Sequence, residues 1–203
     1  MALMPRLKSE TRPHHERTEA QVRLMDADLT PSAYRRHLEA LLGFYAPLEA
    51  RLASLPLERL AGLAIQERWK VSLLEEDLRA FGHDAHSLAR LPRCEALPAL
   101  PGLPEALGCL YVLEGSTLGG QLILRHLRRQ FESASPPATF SFFNAYGDAV
   151  GPRWRAFGDA VNQASESAAD DAFDGRAIQA AQATFDAFAA WLRQEQAHAA
   201  LPA

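Results

Sequence analysis

The stretch Leu113-Glu114-Gly115-Ser116-Thr117-Leu118-Gly119-Gly120-Gln121 decides how this chain is read. It sits inside a run from Pro104 to Phe131 whose apolar residues, among them Ala106, Leu107, Leu110, Tyr111, Val112, Leu122, Ile123, Leu124 and Leu127, recur at helical spacing. That periodicity predicts one buried helix with Gly115, Gly119 and Gly120 in its middle. Each interior glycine costs about 0.5–1 kcal/mol relative to alanine, so together they call for roughly 2–3 kcal/mol from something gained there. Gly115 and Gly119 share a helix face. A helix bent at this point lays bare backbone against a flat ligand with no Cβ in the way. The plainer alternative is a glycine face that admits a neighbouring helix.

The stretch is not a phosphate loop, because neither GxGxxG nor GxxxxGK is present. Nor is it a nucleophile elbow, since Gly115 and Ser116 are adjacent and the setting is a helix rather than the end of a strand. Outward from it, the pattern is helical throughout. Leu7 to Met25 reads as a first helix in which Pro13 forces either a start near Ser9 to Thr11 or a kink. Thr30-Pro31 reads as an N-cap and first helical position opening a long helix that Pro47 should kink. A third helix is predicted from about Arg68 to Phe81, closed by Gly82, and the proline-rich segment Leu91 to Pro104 reads as loop. After a break at Ser133 to Thr139 comes a short aromatic piece, Phe140 to Gly147, and then helices over Arg153–Ser167 and Phe173–Gln196. No alternating strand pattern with hairpin turns occurs, so the class is all-α.

With 203 residues, 48% of them hydrophobic, one substantial core is affordable and two are not, so one domain over 1–203 with its core from about 7 to 196 is expected. A net charge of −4 with scattered basic residues gives no nucleic-acid footprint. Cys94 and Cys109 form no CxxC pair, which suits a reducing cytosol. The N-terminus lacks the long apolar region of a signal peptide, and no segment approaches eighteen uncharged apolar residues. A soluble, cytoplasmic protein with no membrane partner is expected.

Among the seven histidines, one has a suggestive setting. His15 and Glu19, one helical turn apart, share a face, so the carboxylate can orient the imidazole nitrogen that is not bound to a metal. His14 points about a hundred degrees away. The run His15-Glu16-Arg17-Thr18-Glu19 fails HExxH, because glutamate stands where the second histidine belongs. A di-iron carboxylate bundle would need two Glu-x-x-His motifs, and Glu195-Gln196-Ala197-His198 alone fits.

Two motifs then coincide. Leu7-Lys8-Ser9-Glu10-Thr11-Arg12-Pro13-His14-His15-Glu16-Arg17-Thr18-Glu19 resembles the proximal helix of haem oxygenases, and the glycine run resembles their distal helix. Ala33 to Leu38, Leu42 to Glu49, Leu74 to Leu78 and Phe142 to Gly147 are similar to the bacterial branch, especially members encoded beside bacteriophytochromes, so the likeness covers most of Lys8 to Trp191. It implies a helical bundle holding haem between a proximal and a kinked distal helix, and an enzyme that opens haem with O2 and external electrons to biliverdin, CO and iron. His15 is then the metal ligand, with Glu19 near its outer nitrogen. Gly115, Ser116 and Gly119 form the catalytic distal surface, with Gly120 beside it, and Lys8 and Tyr111 reach the haem rim, where Arg153 or Arg155 supplies a further contact. The implied partners are ferredoxin or another reductase and a bacteriophytochrome that accepts the bilin. A carrier or sensor on the same fold is the rival function. Ser116 departs from the aspartate that many members carry, and Pro13 departs from the proximal motif.

Overall fold

The glycine run is helical from end to end. The structure, a computed structural model, describes residues 2–55, 57, 63–132, 139–168 and 170–199, and these fold into α1 (Leu3–Glu10), α2 (Arg12–Glu19), α3 (Pro31–Ala53), α4 (Val71–Ala80), α5 (Ala85–Arg90), α6 (Leu103–Gln130), α7 (Val150–Ser167) and α8 (Phe173–Ala199). Short 3-10 turns occur at Ile65–Arg68 and Gly147–Ala149, and no strand is present among the described residues. The architecture is therefore all-α.

α6 carries the glycines and packs along α8, which also receives α1, α2 and α3. The α6–α8 spacing is set by small residues. A Cβ at Gly108 would lie 2.1 Å from the carbonyl oxygen of Ala177 and 3.0 Å from the Cβ of Ala180, so only glycine admits this approach. One hydrophobic cluster links the helices, beginning at Leu3 and running to Trp191. By length and composition α6 is able to span a membrane, yet half of its most apolar window is buried against its neighbours in this bundle.

The first predicted helix is two helices. Pro13, at the second position of α2, has no N–H to offer and its ring crowds the carbonyl four residues back, so α1 cannot continue through it. The chain restarts at Thr11, whose carbonyl accepts from the N–H groups of His14 and His15 at 3.0 Å each. Its hydroxyl donates back to Leu7 O at 2.7 Å. The Leu7–Met25 expectation is corrected at both ends, since helix begins at Leu3 and stops at Glu19.

In α3, Thr30 caps the N-terminus by accepting from Ala33 N, and helix continues through Pro47. The carbonyl of Gly43, left without its partner by Pro47, accepts from Cys94 N at 2.9 Å and thereby fastens the proline-rich loop. α4 starts at Val71 rather than Arg68. The reason is tertiary: the carboxylate of Glu49 on α3 accepts from Lys70 N at 2.7 Å and Val71 N at 3.2 Å, a helix cap donated from another element. α4 ends as expected at Gly82, whose φ is +92°. α5 is a helix that hydrophobic period misses, opened by a capping box between Asp84 and Ser87.

Of the predicted break at Ser133 to Thr139, residues 133–138 lie outside the described residues. The aromatic piece is a series of turns that leads into α7 at Val150, three residues before the expected start. Buried Asp77 organises it, accepting from Ser141 N at 2.6 Å, Phe142 N at 3.0 Å and the Thr139 hydroxyl. These bonds hold Phe140 at φ +56°, a strained conformation for a bulky residue.

Candidate functional site

Two neighbouring histidines on α2 meet opposite fates. His14 Nδ1 lies 2.8 Å from Asp186 Oδ1 on α8, and Arg17 reaches the same oxygen at 3.1 Å. Burial works to raise the Asp186 pKa, but the hydrogen bonds and charges of His14 and Arg17 outweigh it and hold the carboxyl below its ordinary value. His14 is thus a tie between α2 and α8. The His15 side chain is 53% exposed, with Nδ1 3.5 Å from Glu19 Oε2 and its ring edge-on to Phe185 of α8, 5.6 Å between centroids. Its Nε2 has no partner among the described residues. Lys8, at the end of α1, is exposed and likewise unpaired.

The glycine face of α6 is bare. A Cβ at Gly119 would meet nothing within 4 Å, and one at Gly115 would touch only the edge of Trp154 at 3.7 Å. Leu118 and Leu122, on the same side, are 47% and 56% exposed, so an apolar strip lies open beside the glycines. Gly120, expected from the sequence beside the ligand, is buried, its Cβ position 3.1 Å from the carbonyl oxygen of Phe143, and its lack of side chain admits the aromatic segment. Ser116 donates to Leu113 O at 2.7 Å and stands 3.1 Å from the Tyr45 hydroxyl. Since the serine proton is committed, Tyr45 is the donor in that pair, and burial pushes the Tyr45 phenol up, keeping it protonated.

Tyr111 shares a hydrogen bond with Thr11 and packs on Trp154 at 5.6 Å, which joins α6 to the α1–α2 junction. Arg153 is already engaged, 2.8 Å from Glu67 and over the ring of Tyr146 at 4.9 Å. Arg155 is exposed and without a polar partner among the described residues, so of the two arginines it has the available head group.

Sequence reasoning misses a buried charge cluster directly behind the glycine face. Glu114 and Lys70 are each 2% exposed. Glu114 accepts from Arg68, from Lys70 Nζ at 3.0 Å and from the Tyr146 hydroxyl at 2.7 Å. Lys70 Nζ also donates to Arg68 O at 2.5 Å and Tyr146 Oη at 2.8 Å. Burial lowers the Lys70 pKa, and Glu114 works against that shift. A signal existed: Glu114 is the one charged residue between Glu105 and Arg125 in an otherwise apolar helix. Between this cluster and Ser116 lies a cavity bordered by Lys70, Ser116, Gly120 and Tyr146, with space for about one water molecule.

The residues present fit a haem. A histidine with a carboxylate 3.5 Å from one nitrogen and the other free suits an iron, a bare helix face beside exposed leucines suits a flat apolar macrocycle, and unpaired Lys8 and Arg155 suit its carboxylates. No group of three or more His, Cys, Asp or Glu ligands stands together among the described residues, so nothing joins Glu195 and His198 in a carboxylate metal centre.

The fold and site thus define a helical protein whose free histidine and bare helix face fit a flat metal macrocycle. The family model described as Heme oxygenase matches residues 1–194. A curated heme oxygenase of Xanthomonas campestris pv. campestris (strain 8004) is 37% identical over 173 residues, 84% of this chain and 93% of that protein. The fold matches three solved bacterial structures. The NO- and CO-bound heme oxygenase of Neisseria meningitidis aligns with TM-score 0.77 at 19% identity, covering 96% of this chain and 92% of that one. The Leptospira interrogans enzyme gives 0.73 at 18% identity over 96% and 100%. Heme oxygenase-1 of Synechocystis sp. PCC6803, solved in complex with heme, gives 0.71 at 17% over 98% and 94%. The chain belongs to the haem oxygenase family and is a haem-degrading oxidoreductase.

Proposed function

We propose that this haem oxygenase binds haem between α2 and the glycine face of α6, with His15 as the iron ligand, and opens it with O2 and electrons from an external donor such as a ferredoxin to biliverdin, CO and iron. We further propose that it acts in the cytoplasm as one domain and that a bacteriophytochrome takes the bilin. The observation that carries this reading is the split between the two histidines: His14 is spent on Asp186, while His15 presents a free Nε2 with Glu19 at its other nitrogen. Bound haem would supply the redox-active iron and the ring that is cleaved. The chain supplies the rest. Glu19, its carboxylate 3.5 Å from His15 Nδ1, would favour the proton on that nitrogen and leave Nε2 as the ligand. Gly115 and Gly119 keep side chains off the face where O2 must fit. Lys8 and Arg155 receive the propionates, and Tyr111, tied to Thr11, braces the rim. Ser116 has no proton of its own to give, because it already donates to Leu113 O, so an ordered water held by Ser116 delivers the proton at the distal face. The test is anaerobic loading with hemin followed by aerobic turnover with ascorbate or ferredoxin. Biliverdin with CO release is expected; a stable Soret band with no bilin would mark a carrier instead.

A further inference from the structure

The buried charges behind α6 have a use that the haem contacts do not explain. The bare face formed by Gly115, Leu118, Gly119 and Leu122 gains little orientation from packing, since Gly119 meets nothing and both leucines are open to solvent. The tight α6–α8 contact at Gly108 lies about two turns away. Besides the Gly120 contact with the Phe143 backbone and the Ser116–Tyr45 hydrogen bond, what grips this part of the helix is Glu114, immediately before Gly115. Its two oxygens take three donors from outside α6: Arg68 and Lys70 before α4, and Tyr146 before α7. Arg68 also bonds the Arg153 carbonyl of α7 at 3.4 Å, and Glu49 of α3 holds Lys70 N at 2.7 Å. Lys70 spends all three N–H bonds, on Arg68 O, Glu114 and Tyr146, so it has none left to serve as a proton source.

We propose that Glu114, gripped by Arg68, Lys70 and Tyr146, is a positioning residue that fixes the rotation of α6 and thereby the clearance of its glycine face over haem. The geometry follows from the helix itself. Successive side chains diverge by about 100°, so a tether on residue 114 dictates where the face of 115 and 119 points. A buried ion pair contributes little net stability because desolvation offsets attraction, but it singles out one arrangement. Apolar replacement of the whole cluster therefore keeps the fold while releasing the helix.

The proposal rests on the reading of this face as the distal wall of the haem site, and the experiment separates the two. The triple variant Arg68→Met, Lys70→Met, Glu114→Met and the single variant Tyr146→Phe are compared with wild type in two ways. Amide hydrogen exchange over residues 113–121 is followed in the apoprotein, and the C–O stretching band in the CO complex. The triple variant is expected to exchange about 10-fold faster there while α8 keeps its protection, and to give a broadened or doubled CO band. Tyr146→Phe, retaining both cations, should show a smaller change of the same kind. Wild-type exchange and a single unshifted band in a folded triple variant overturn the proposal; if the triple variant does not fold, the same wild-type result in Tyr146→Phe overturns it. Gly119→Leu tests the wall alone. If it leaves hemin binding and the CO band untouched, the reading of the haem face fails, whereas apoprotein exchange still decides the tether.

Discussion

Two adjacent side chains on α2 illustrate how much rests on single residues. His15→Ala should abolish the six-coordinate alkaline spectrum of the hemin complex, restored by added imidazole. His14→Ala should leave that spectrum and only loosen the α2–α8 tie, because its partner is Asp186. The reverse pattern in a hemin titration would move the ligand to His14. Ser116 offers a second test. Its hydroxyl donates to Leu113 O and meets Tyr45, so its removal takes away one neutral hydrogen bond of about 1 kcal/mol. Ser116→Ala should therefore slow ring opening by about 2–10-fold and still yield biliverdin. Single-turnover kinetics with product identification check this, and loss of all bilin would make the hydroxyl itself essential.

At the scale of elements, glycines in one helix do different work depending on what lies opposite. Gly119 faces open space, Gly120 faces the Phe143 backbone, and Gly108 faces the α8 backbone at a distance that excludes any side chain. Gly108→Ala would place a methyl 2.1 Å from a carbonyl oxygen, and backbone cannot step aside as a flexible side chain can. The two longest helices would have to separate, at a cost of about 2–3 kcal/mol. Urea melts should show that loss, while Gly119→Ala, at an open exposed position, should be neutral or slightly stabilising through helix propensity. Equal stabilities for the two variants would mean that the α6–α8 contact is looser than its geometry implies.

For the whole molecule, acid stability should depend on His37. This ring is partly buried on α3, and burial pushes its pKa from 6.5 down to about 4. The unfolded chain takes up a proton below about pH 6.5 and the folded chain does not until about pH 4. The native state is therefore favoured fully above pH 6.5 and loses this contribution as pH falls toward 4. The shift corresponds to at most roughly 3 kcal/mol. Urea midpoints at pH 7 and pH 5 should converge for His37→Gln relative to wild type; an identical acid loss in both proteins would assign it to other groups. The Asp186 pKa is also depressed, but as a carboxylate held below its ordinary value its contribution is intact at pH 5 and fades only as pH falls through the carboxylate range.

The sequence by itself determined what local physics controls. The all-α class, the long glycine helix, the Thr30-Pro31 start and the Gly82 stop follow from period, capping and backbone freedom, which neighbouring residues settle among themselves. The facing of His15 and Glu19 was legible for the same reason, being fixed by one helical turn. Tertiary structure alone decided what depends on residues far apart in the chain. Glu49 starts α4 from another helix, Cys94 takes up the carbonyl that Pro47 leaves free, and Asp77 folds the aromatic turns around itself. Only the fold binds His14 to Asp186 and leaves His15 open, since the partner lies on α8. Glu114 announced in the sequence that it needed a partner, but Arg68, Lys70 and Tyr146 became that partner only when the fold carried them together into the low-dielectric interior, where an unpaired charge is too costly to keep.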